Sequence, residues 1–512
     1  MATNEIFESL ADWIETTNDH FFITGRAGTG KSTFIQALKQ KLKKAEKNAV
    51  YLAPTGVAAS NISGQTVHAF AKLKPGRPML EPFLRGLHPE AQTEFEKLAL
   101  NSPIDIPETS EVRISNKRRE FLTHLDVVVI DEISMLRADV LDGLDYALRA
   151  GCERPGKPAE NMPVFAGKQL IFVGDLFQLA PVYDHGNEKY FDKLYPNAYF
   201  FSSYAFKKLK FQVVALTHNF RQSDPEYAET LKRIRNGTFN DTDLNKINRR
   251  VVRPPAEREP IVITSTNAVA DRHNRAKLTS LDGPLHIFKA ENEGRFPMDR
   301  RPPAPEVLEL KPGAAVMFCR NDVPSPYDHE KDPPRYRRWH NGSPGNVVEI
   351  TDDCVRVKMK DGDELHDVYR ETWENVEYEL RRDSNGKHRV YEKVIGLYKQ
   401  FPLQLAWAVT IHKSQGLTFD EAFLHFDRLF APGQLYVALS RCRALERIYL
   451  SRKITFADYV SHVEVEEFNR SLAERAWYWG INGFKKRRNP EAVVANKRTA
   501  ATSFGVRQEN MR

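Results

Sequence analysis

Gly25-Arg-Ala-Gly28-Thr-Gly30-Lys31-Ser32 matches G-x-x-x-x-G-K-[ST] at every specified position, between the apolar run Phe21–Thr24 and a helical run from Lys31 to Lys44. No other feature limits the fold so tightly. A loop of this composition, entered from a strand and left by a helix, lets backbone N–H groups close around phosphate oxygens at a helix N-terminus. Gly25, Ala27, Gly28, Thr29 and Gly30 make the cradle, and Lys31 reaches the β- and γ-phosphates. Ser32 is the expected Mg²⁺ ligand, with Thr33 beside it in the nucleotide-binding set.

Such a loop belongs in a parallel α/β domain, and the flanking sequence agrees. Phe21–Thr24, Ala49–Ala53, Val127–Ile130, Gln169–Val173, Gln212–Leu216 and Ile261–Thr264 are short apolar runs separated by helical stretches. Two interruptions break the alternation. Residues 72–116 are rich in proline and charge and read as a small insertion. Residues 303–399 hold proline clusters, then Val347–Ile350 and Val355–Met359 with Asp361-Gly362 as a turn, which predicts a small antiparallel β-barrel. The α/β pattern returns at Leu403–Val409, Ala422–Phe426 and Arg447–Leu450. The expected division is a first α/β domain over 1–71 and 117–211 and a second over 212–302 and 400–470. The two insertions are separate units, and 471–512 is a basic tail, mobile from about Trp479.

Composition excludes several classes. With 512 residues, 41% hydrophobic and 28% charged, the chain is long enough for three or four globular domains. No window approaches 18 consecutive apolar residues, so no membrane span is expected. Five acidic residues precede any Lys or Arg, which argues against a transit peptide. Cys152, Cys319, Cys354 and Cys442 form no CxxC pair, so the reading is a reducing, cytoplasmic compartment without disulfides or zinc. The net charge is +7, but residues 481–512 carry eight Lys/Arg against two Glu, leaving the rest almost neutral. A nucleic-acid site must therefore be argued from local residues. For the tail, with Lys485-Lys-Arg-Arg488, a solvated disordered segment is favoured over a tethering arm or nuclear signal.

The strand Val127–Ile130 ends in Asp131-Glu132. Beside a phosphate loop, the Asp suits Mg²⁺ and the Glu suits polarising the attacking water. Gln178, in Gly174-Asp-Leu-Phe-Gln178, has two open readings: γ-phosphate sensing or water orientation, and a structural loop glutamine. No Asn-Lys-x-Asp for guanine is present. Arg221 and Arg441 are candidates for charge placed across a cleft onto the transferring phosphoryl group, with an ordinary surface residue as the other reading of either one alone.

These segments recur in a recognisable order. Gly25–Ser32, Ala53-Pro-Thr55-Gly56, Asp131–Met135, Gly174–Gln178, Phe220-Arg221-Gln222, Ala406-Trp-Ala-Val-Thr410-Ile-His412-Lys413-Ser-Gln415-Gly416 and Tyr436–Arg441 resemble the motifs of superfamily 1 helicases. The resemblance is to the petite-integration-frequency (Pif) type, related to the RecD group, and covers about residues 20–450. It implies two RecA-like P-loop domains with ATP between them, an inserted wedge domain and an inserted barrel of the Src-homology type. It implies ATP-dependent 5′→3′ movement on single-stranded DNA, unwinding of duplexes or G-quadruplexes, and roles in repair, recombination and telomere maintenance.

By the same resemblance, Lys31, Asp131, Glu132, Gln178, Arg221 and Arg441 are the hydrolytic set, Ser32 and Asp131 hold Mg²⁺, and Gly416 adds backbone near the γ-phosphate. DNA contacts carry over to Thr55, Gly56, His68, Asn267, Thr410, His412 and Lys413, with a satisfied core histidine as the other reading of His68. Expected partners are single-stranded DNA and its junctions with duplex, RNA being indistinguishable by phosphate contacts, for a chain that is monomeric without DNA. The chain departs from the family in lacking a Gln before Gln36 to read adenine, and in Ala180 where a second proline is usual. It has no long N-terminal extension, which suggests a bacterial or phage origin. Two rivals stand beside the motor: a RecD-like subunit of a nuclease complex, and a nucleotide-gated clamp without unwinding. For Trp339, Tyr369 and Trp373, barrel core is favoured over base-stacking platforms.

Overall fold

Eight strands form the main sheet, in the order Gly483–Lys486, Trp477–Gly480, Phe211–Leu216, His20–Gly25, Gln169–Gly174, Val127–Ile130, Ala49–Ala53 and Gln65–Thr66. All neighbours are parallel except the outermost pair. The computed structural model describes residues 2–73, 79–101, 114–181, 188–221, 224–255, 258–296, 302–322, 338–360, 364–461, 463–480 and 483–486.

The central strands are buried on both faces, which is why they read as unbroken apolar runs rather than alternating ones. Helix Lys31–Lys44 covers one face with Phe34, Ile35, Leu38 and Leu42, a single stripe at helical spacing. Lys41, Lys43 and Lys44 in its last turn complement the negative end of the helix dipole. On the other face helix Ala138–Cys152 is buried along its whole length. Its acids are all engaged. Asp142 accepts from the Ser203 and Tyr195 hydroxyls and from the Tyr204 and Ala205 amides, and Asp145 pairs with Arg149. Asp139 accepts from the Met79 amide, tying the insertion to the sheet.

A second, four-stranded parallel sheet has the order Ala408–Thr410, Ile261–Thr264, Ala422–Leu424, Ile448–Leu450. The insertion expected over 303–399 holds two structures rather than one. Ala315–Phe318, Pro344–Ile350, Cys354–Met359 and Leu365–Tyr369, with Leu403–Leu405, make a five-stranded antiparallel sheet over Phe318, Trp339, Val355 and Phe401. The long hairpin Glu371–Arg382 and His388–Gln400 instead pairs with Glu291–Gly294 and reaches back to the first sheet. There Tyr378 packs against Phe70 and Phe121, and its hydroxyl accepts from the Tyr51 amide. Trp339 and Trp373 are buried, whereas Tyr369 is exposed. The expected turn Asp361-Gly362 and parts of the first insertion (74–78 and 102–113) lie outside the described residues.

Two boundaries differ from those read along the chain. Phe211–Leu216 belongs to the first sheet, paired with the P-loop strand from His20↔Phe211 to Gly25↔Leu216. Burial of Val213, Val214 and Leu216 is what places it there. Residues 471–480, expected to open the tail, are instead packed on the first sheet. Helix Val463–Ala473 inserts Val465, Phe468 and Leu472 beside Phe22, Phe200 and Phe206, and Trp477–Gly480 then adds a parallel strand to Phe211–Leu216. Trp477 meets Trp13 edge-on at 5.7 Å. The helical spacing of 465, 468, 472 and 476 carried this signal, which the neighbouring charges masked. Ending the chain at Ser461 uncovers several of these apolar side chains. At about 1.5–3 kcal/mol each, it should cost about 5 kcal/mol or more. By differential scanning calorimetry the first-domain midpoint should fall by about 10 °C or more relative to the full chain.

No helix among the described residues is long and apolar enough to cross a membrane.

Candidate active site and nucleic-acid face

Three parallel strands end side by side, because Thr24 is in register with Gly174 and Ile130 with Phe172. Gly25, Asp131 and Asp175 therefore emerge at one edge of the sheet, where α/β folds place their ligands. In the loop, Gly28 and Gly30 both have φ of +83°, the left-handed region that side chains disfavour. A Cβ on Gly28 would run into Arg221 Cβ, so glycine there lets the segment 219–221 lie against the loop. The Phe220 amide donates to Gly28 O at 2.9 Å, and the Ala27 amide donates to the Tyr436 hydroxyl at 3.1 Å. Thr29 Oγ1 donates to Arg26 O.

Lys31 Nζ turns back to donate to Gly25 O at 2.8 Å and Arg26 O at 3.1 Å. Burial holds its pKa below the usual lysine value, and Asp175, Glu132 and Asp131 offset this only in part. Ser32 and Thr33 are exposed at the first turn of the helix. Asp131 is buried, and its Oδ1 accepts from the Glu132 amide at 2.8 Å. Glu132 sits at φ +47°, an uncommon backbone for glutamate that turns the chain sharply out of the strand. Burial pushes the pKa of both carboxyls up. The Glu132 charge adds to this at Asp131, and Lys31 opposes it at both.

Asp175 anchors the back of the site. Its Oδ1 accepts from Arg235 Nε and Nη2 at 3.0 and 2.8 Å, and its Oδ2 from Gln178 Nε2 at 3.3 Å. Burial alone would raise its pKa, but Arg235 and Lys31 more than offset this and hold it below the usual range. Gln178 is thereby fixed with its amide nitrogen on Asp175 and its oxygen toward the cleft.

The second sheet contributes one turn, Ser414 to Leu417. Gln415 Nε2 donates both to Glu132 Oε2 and to Gln178 Oε1, each at 3.1 Å. Arg221 Nη2 donates to Gly416 O at 2.9 Å. Arg441 is fully buried and donates to Ser414 O (2.8 Å), Leu417 O (3.0 Å), Val437 O (2.7 Å) and Ser440 Oγ (2.6 Å). Burial and the nearby Arg221 charge lower its pKa. Lys31, Asp131, Glu132 and Gln178 thus gather on the first sheet, and Arg221 and Arg441 converge on the turn that meets them. Gln222 lies outside the described residues.

Four residues in this site had no assigned role in the sequence reading. Asp175 follows a buried strand as Asp131 does, and Tyr436 and Gln415 lie inside motif segments. Arg235, on helix Pro225–Arg235, carries no local signal, because its partner Asp175 is 60 residues away. Phe220 is 47% exposed beside the P-loop, its ring edge-on to His218.

The other group of candidates lies at the same kind of edge. Ala53 is in register with Thr66, which places Thr55, Gly56 and His68 together beyond those strands. Gly56 opens helix Gly56–Asn61 with nothing near the position of a Cβ, and Thr55 Oγ1 accepts from the Ala58 amide. His68 is half-buried in a short helix whose N-cap is Thr66. On the second sheet Thr410 is in register with Thr264, which brings Thr410, His412 and Lys413 beside Asn267 at the start of helix Asn267–Thr279. Lys413 is exposed, but Thr410 is buried and its hydroxyl accepts from the Lys413 amide at 3.2 Å.

Fold and site together define a P-loop nucleotide-hydrolase architecture in which two parallel sheets share one cleft. The PIF1-like helicase family model matches residues 2–77 and 94–245. The ATP-dependent DNA helicase Pif1 of Campylobacter jejuni is 28% identical over 463 residues, which cover 87% of this chain and 92% of that one. The crystal structure of Bacteroides Pif1 with ADP-AlF4 is 32% identical, covers 91% of this chain and 96% of that one, and superposes with a TM-score of 0.74. Bacteroides Pif1 bound to ssDNA, with the same identity and coverage, superposes with a TM-score of 0.59. The chain belongs to the Pif1-like helicase family.

Proposed function

We propose that this chain is an ATP-dependent DNA helicase that moves 5′→3′ on single-stranded DNA. The observation that carries this is the meeting of the two sheets at the phosphate loop. Hydrolytic groups of one sheet, Glu132 and Gln178, are hydrogen-bonded to a turn of the other, Gln415, so that events at the nucleotide and the spacing of the sheets are mechanically one.

Gly25–Thr33 would hold the phosphates of ATP, with Lys31 released from Gly25 O and Arg26 O to face them. Glu132 polarises the attacking water, Gln178 orients it, and Arg221 and Arg441 bring positive charge from the far side as the cleft closes. The donor set fits Mg²⁺. Ser32 offers an exposed hydroxyl and Asp131 a carboxylate that burial leaves poorly compensated. Among the described residues no cluster of three or more His, Cys, Asp or Glu could cage a metal alone, which suits a cation that keeps waters and shares phosphate oxygens. When bound it would neutralise charge on the phosphates.

DNA lies across both strand-end edges. Backbone at Gly56 and Asn267 and side chains of Thr55, His68, His412 and Lys413 hold phosphates, while Thr410 shapes the turn. Residues 72–116 form the wedge and the five-stranded antiparallel sheet the accessory barrel. Opening a base-pair step costs about 1.4 kcal/mol on average, within reach of a modest wedge.

Strand separation on duplexes with a 5′ or a 3′ single-stranded overhang tests this. Unwinding is expected only from the 5′ overhang and only with ATP, and Lys31→Ala is expected to abolish it. Unwinding from the 3′ overhang alone refutes the polarity, and none on either substrate refutes the helicase.

A further inference from the structure

Around the nucleotide site nearly every group that hydrolysis needs is bound to the protein itself. Lys31 is on Gly25 O and Arg26 O, Arg221 on Gly416 O, and Arg441 on Ser414 O and Leu417 O. Gln415 spends both of its amide hydrogens on Glu132 and Gln178. An ionised carboxylate only accepts, so the nitrogen of Gln415 and not its oxygen must face Glu132. That choice propagates: the Gln178 oxygen faces Gln415, its nitrogen faces Asp175, and Asp175 is held by Arg235. The result is one oriented chain of hydrogen bonds from Glu132 to Arg235, closed by a residue of the opposite sheet. Its closing link ties Glu132 Oε2 to the opposite sheet, which fixes the direction in which the carboxylate faces the cleft.

Gln415 is also rigidly joined to the residues assigned to DNA. Between Thr410 and Leu417 the turn is held by Ser414 N–H to Thr410 O (2.9 Å), Lys413 N–H to Thr410 Oγ1 (3.2 Å), Ser414 Oγ–H to Ile411 O (2.7 Å) and Gln415 N–H to His412 O (3.3 Å). A displacement at His412 or Lys413 is therefore carried to Gln415 rather than absorbed. Gly416, at φ +80° with nothing within 4 Å of where a Cβ would stand, lets the backbone turn once the Arg221 hydrogen bond to its carbonyl gives way.

We propose that Gln415 is a latch on ATP hydrolysis: its carboxamide holds Glu132 and Gln178 in a resting arrangement, and single-stranded DNA seated on Thr410–Lys413 draws it away. This rests on the reading of the chain as a DNA-driven ATPase and adds how the site is kept idle without DNA. The ligand that releases the latch is the DNA backbone, and the released groups are Glu132 and Gln178.

The test is steady-state ATP turnover by the full chain, without DNA and with saturating oligothymidine, for the wild type, Gln415→Leu and Gln415→Glu. Leucine keeps the bulk but donates nothing, and glutamate places an acceptor against Glu132. Both variants are expected to raise the DNA-free kcat by about tenfold, the size that one charge-assisted hydrogen bond supports. The ratio of DNA-stimulated to DNA-free turnover falls accordingly, and the KM for ATP stays within about threefold. A residue that merely braced the site would lower kcat instead. A DNA-free kcat that is unchanged or reduced in both variants, with thermal midpoints near the wild type, overturns the latch. If the wild type hydrolyses ATP without any response to oligothymidine, the DNA-driven reading fails, while the DNA-free rates of the variants still decide whether Gln415 restrains Glu132.

Discussion

Glu132→Gln should lower kcat for ATP hydrolysis by about 10³-fold, within the range for losing a general base, while leaving nucleotide affinity within about threefold. The substitution keeps the shape of the side chain, and glutamine still presents an oxygen to Gln415 Nε2, so the bridge between the sheets survives. What disappears is the anionic oxygen that takes the proton of the attacking water. Steady-state turnover, with a fluorescent ATP analogue to measure binding, separates the two effects. A loss of affinity equal to the loss of turnover would show that Glu132 binds nucleotide rather than drives its hydrolysis.

Arg441→Lys should be nearly as damaging as Arg441→Ala, each lowering kcat by about 10³-fold. Arg441 is fully buried and its planar fork serves three backbone carbonyls and the Ser440 hydroxyl at once. An ammonium has three donors on one atom and cannot span Ser414 O, Leu417 O and Val437 O together. The Ser414–Leu417 turn then loses the scaffold that sets the facing side of the cleft. Unlike Glu132→Gln, both Arg441 variants should also lower stability by several kcal/mol, because buried carbonyls are left without donors. Turnover together with a thermal melt reads both. Full activity in Arg441→Lys would show that charge alone matters and that the hydrogen-bond geometry does not.

Much of the site could be read along the chain because its parts are local. A phosphate loop needs its glycines, lysine and hydroxyl within eight residues, since one turn and one helix start must supply them all. Helix Lys31–Lys44 and strands Ala49–Ala53, Val127–Ile130 and Ile261–Thr264 have the limits their apolar runs indicate. Asp131 and Glu132 stand out because buried strands seldom end in paired acids. Where the reading went astray, partners distant in sequence decided the outcome. Phe211–Leu216 looks like the opening strand of the second domain, yet it pairs with a strand almost 200 residues earlier. Residues 463–470 look like the end of the second domain and 471–480 like the start of a solvated tail, yet Phe22, Phe200 and Phe206 need the apolar stripe of helix Val463–Ala473. The hairpin over 371–400 reads as barrel, and docks on Tyr51 and Phe70 because Tyr378 completes their packing.

Sequence alone therefore determined the chemistry that short-range geometry controls: the phosphate loop, the strand-end acids, the alternation of strand and helix, and the family these motifs imply. Only the tertiary structure decided which strands share a sheet, that Arg441 is buried under its own loop, and that Gln415 closes a hydrogen-bond chain from Glu132 to Arg235. The reason is physical. Local motifs are set by backbone angles and side-chain types over a few residues. Pairings between sheets depend on which buried surfaces and polar groups satisfy one another, and that is settled only when the whole chain packs.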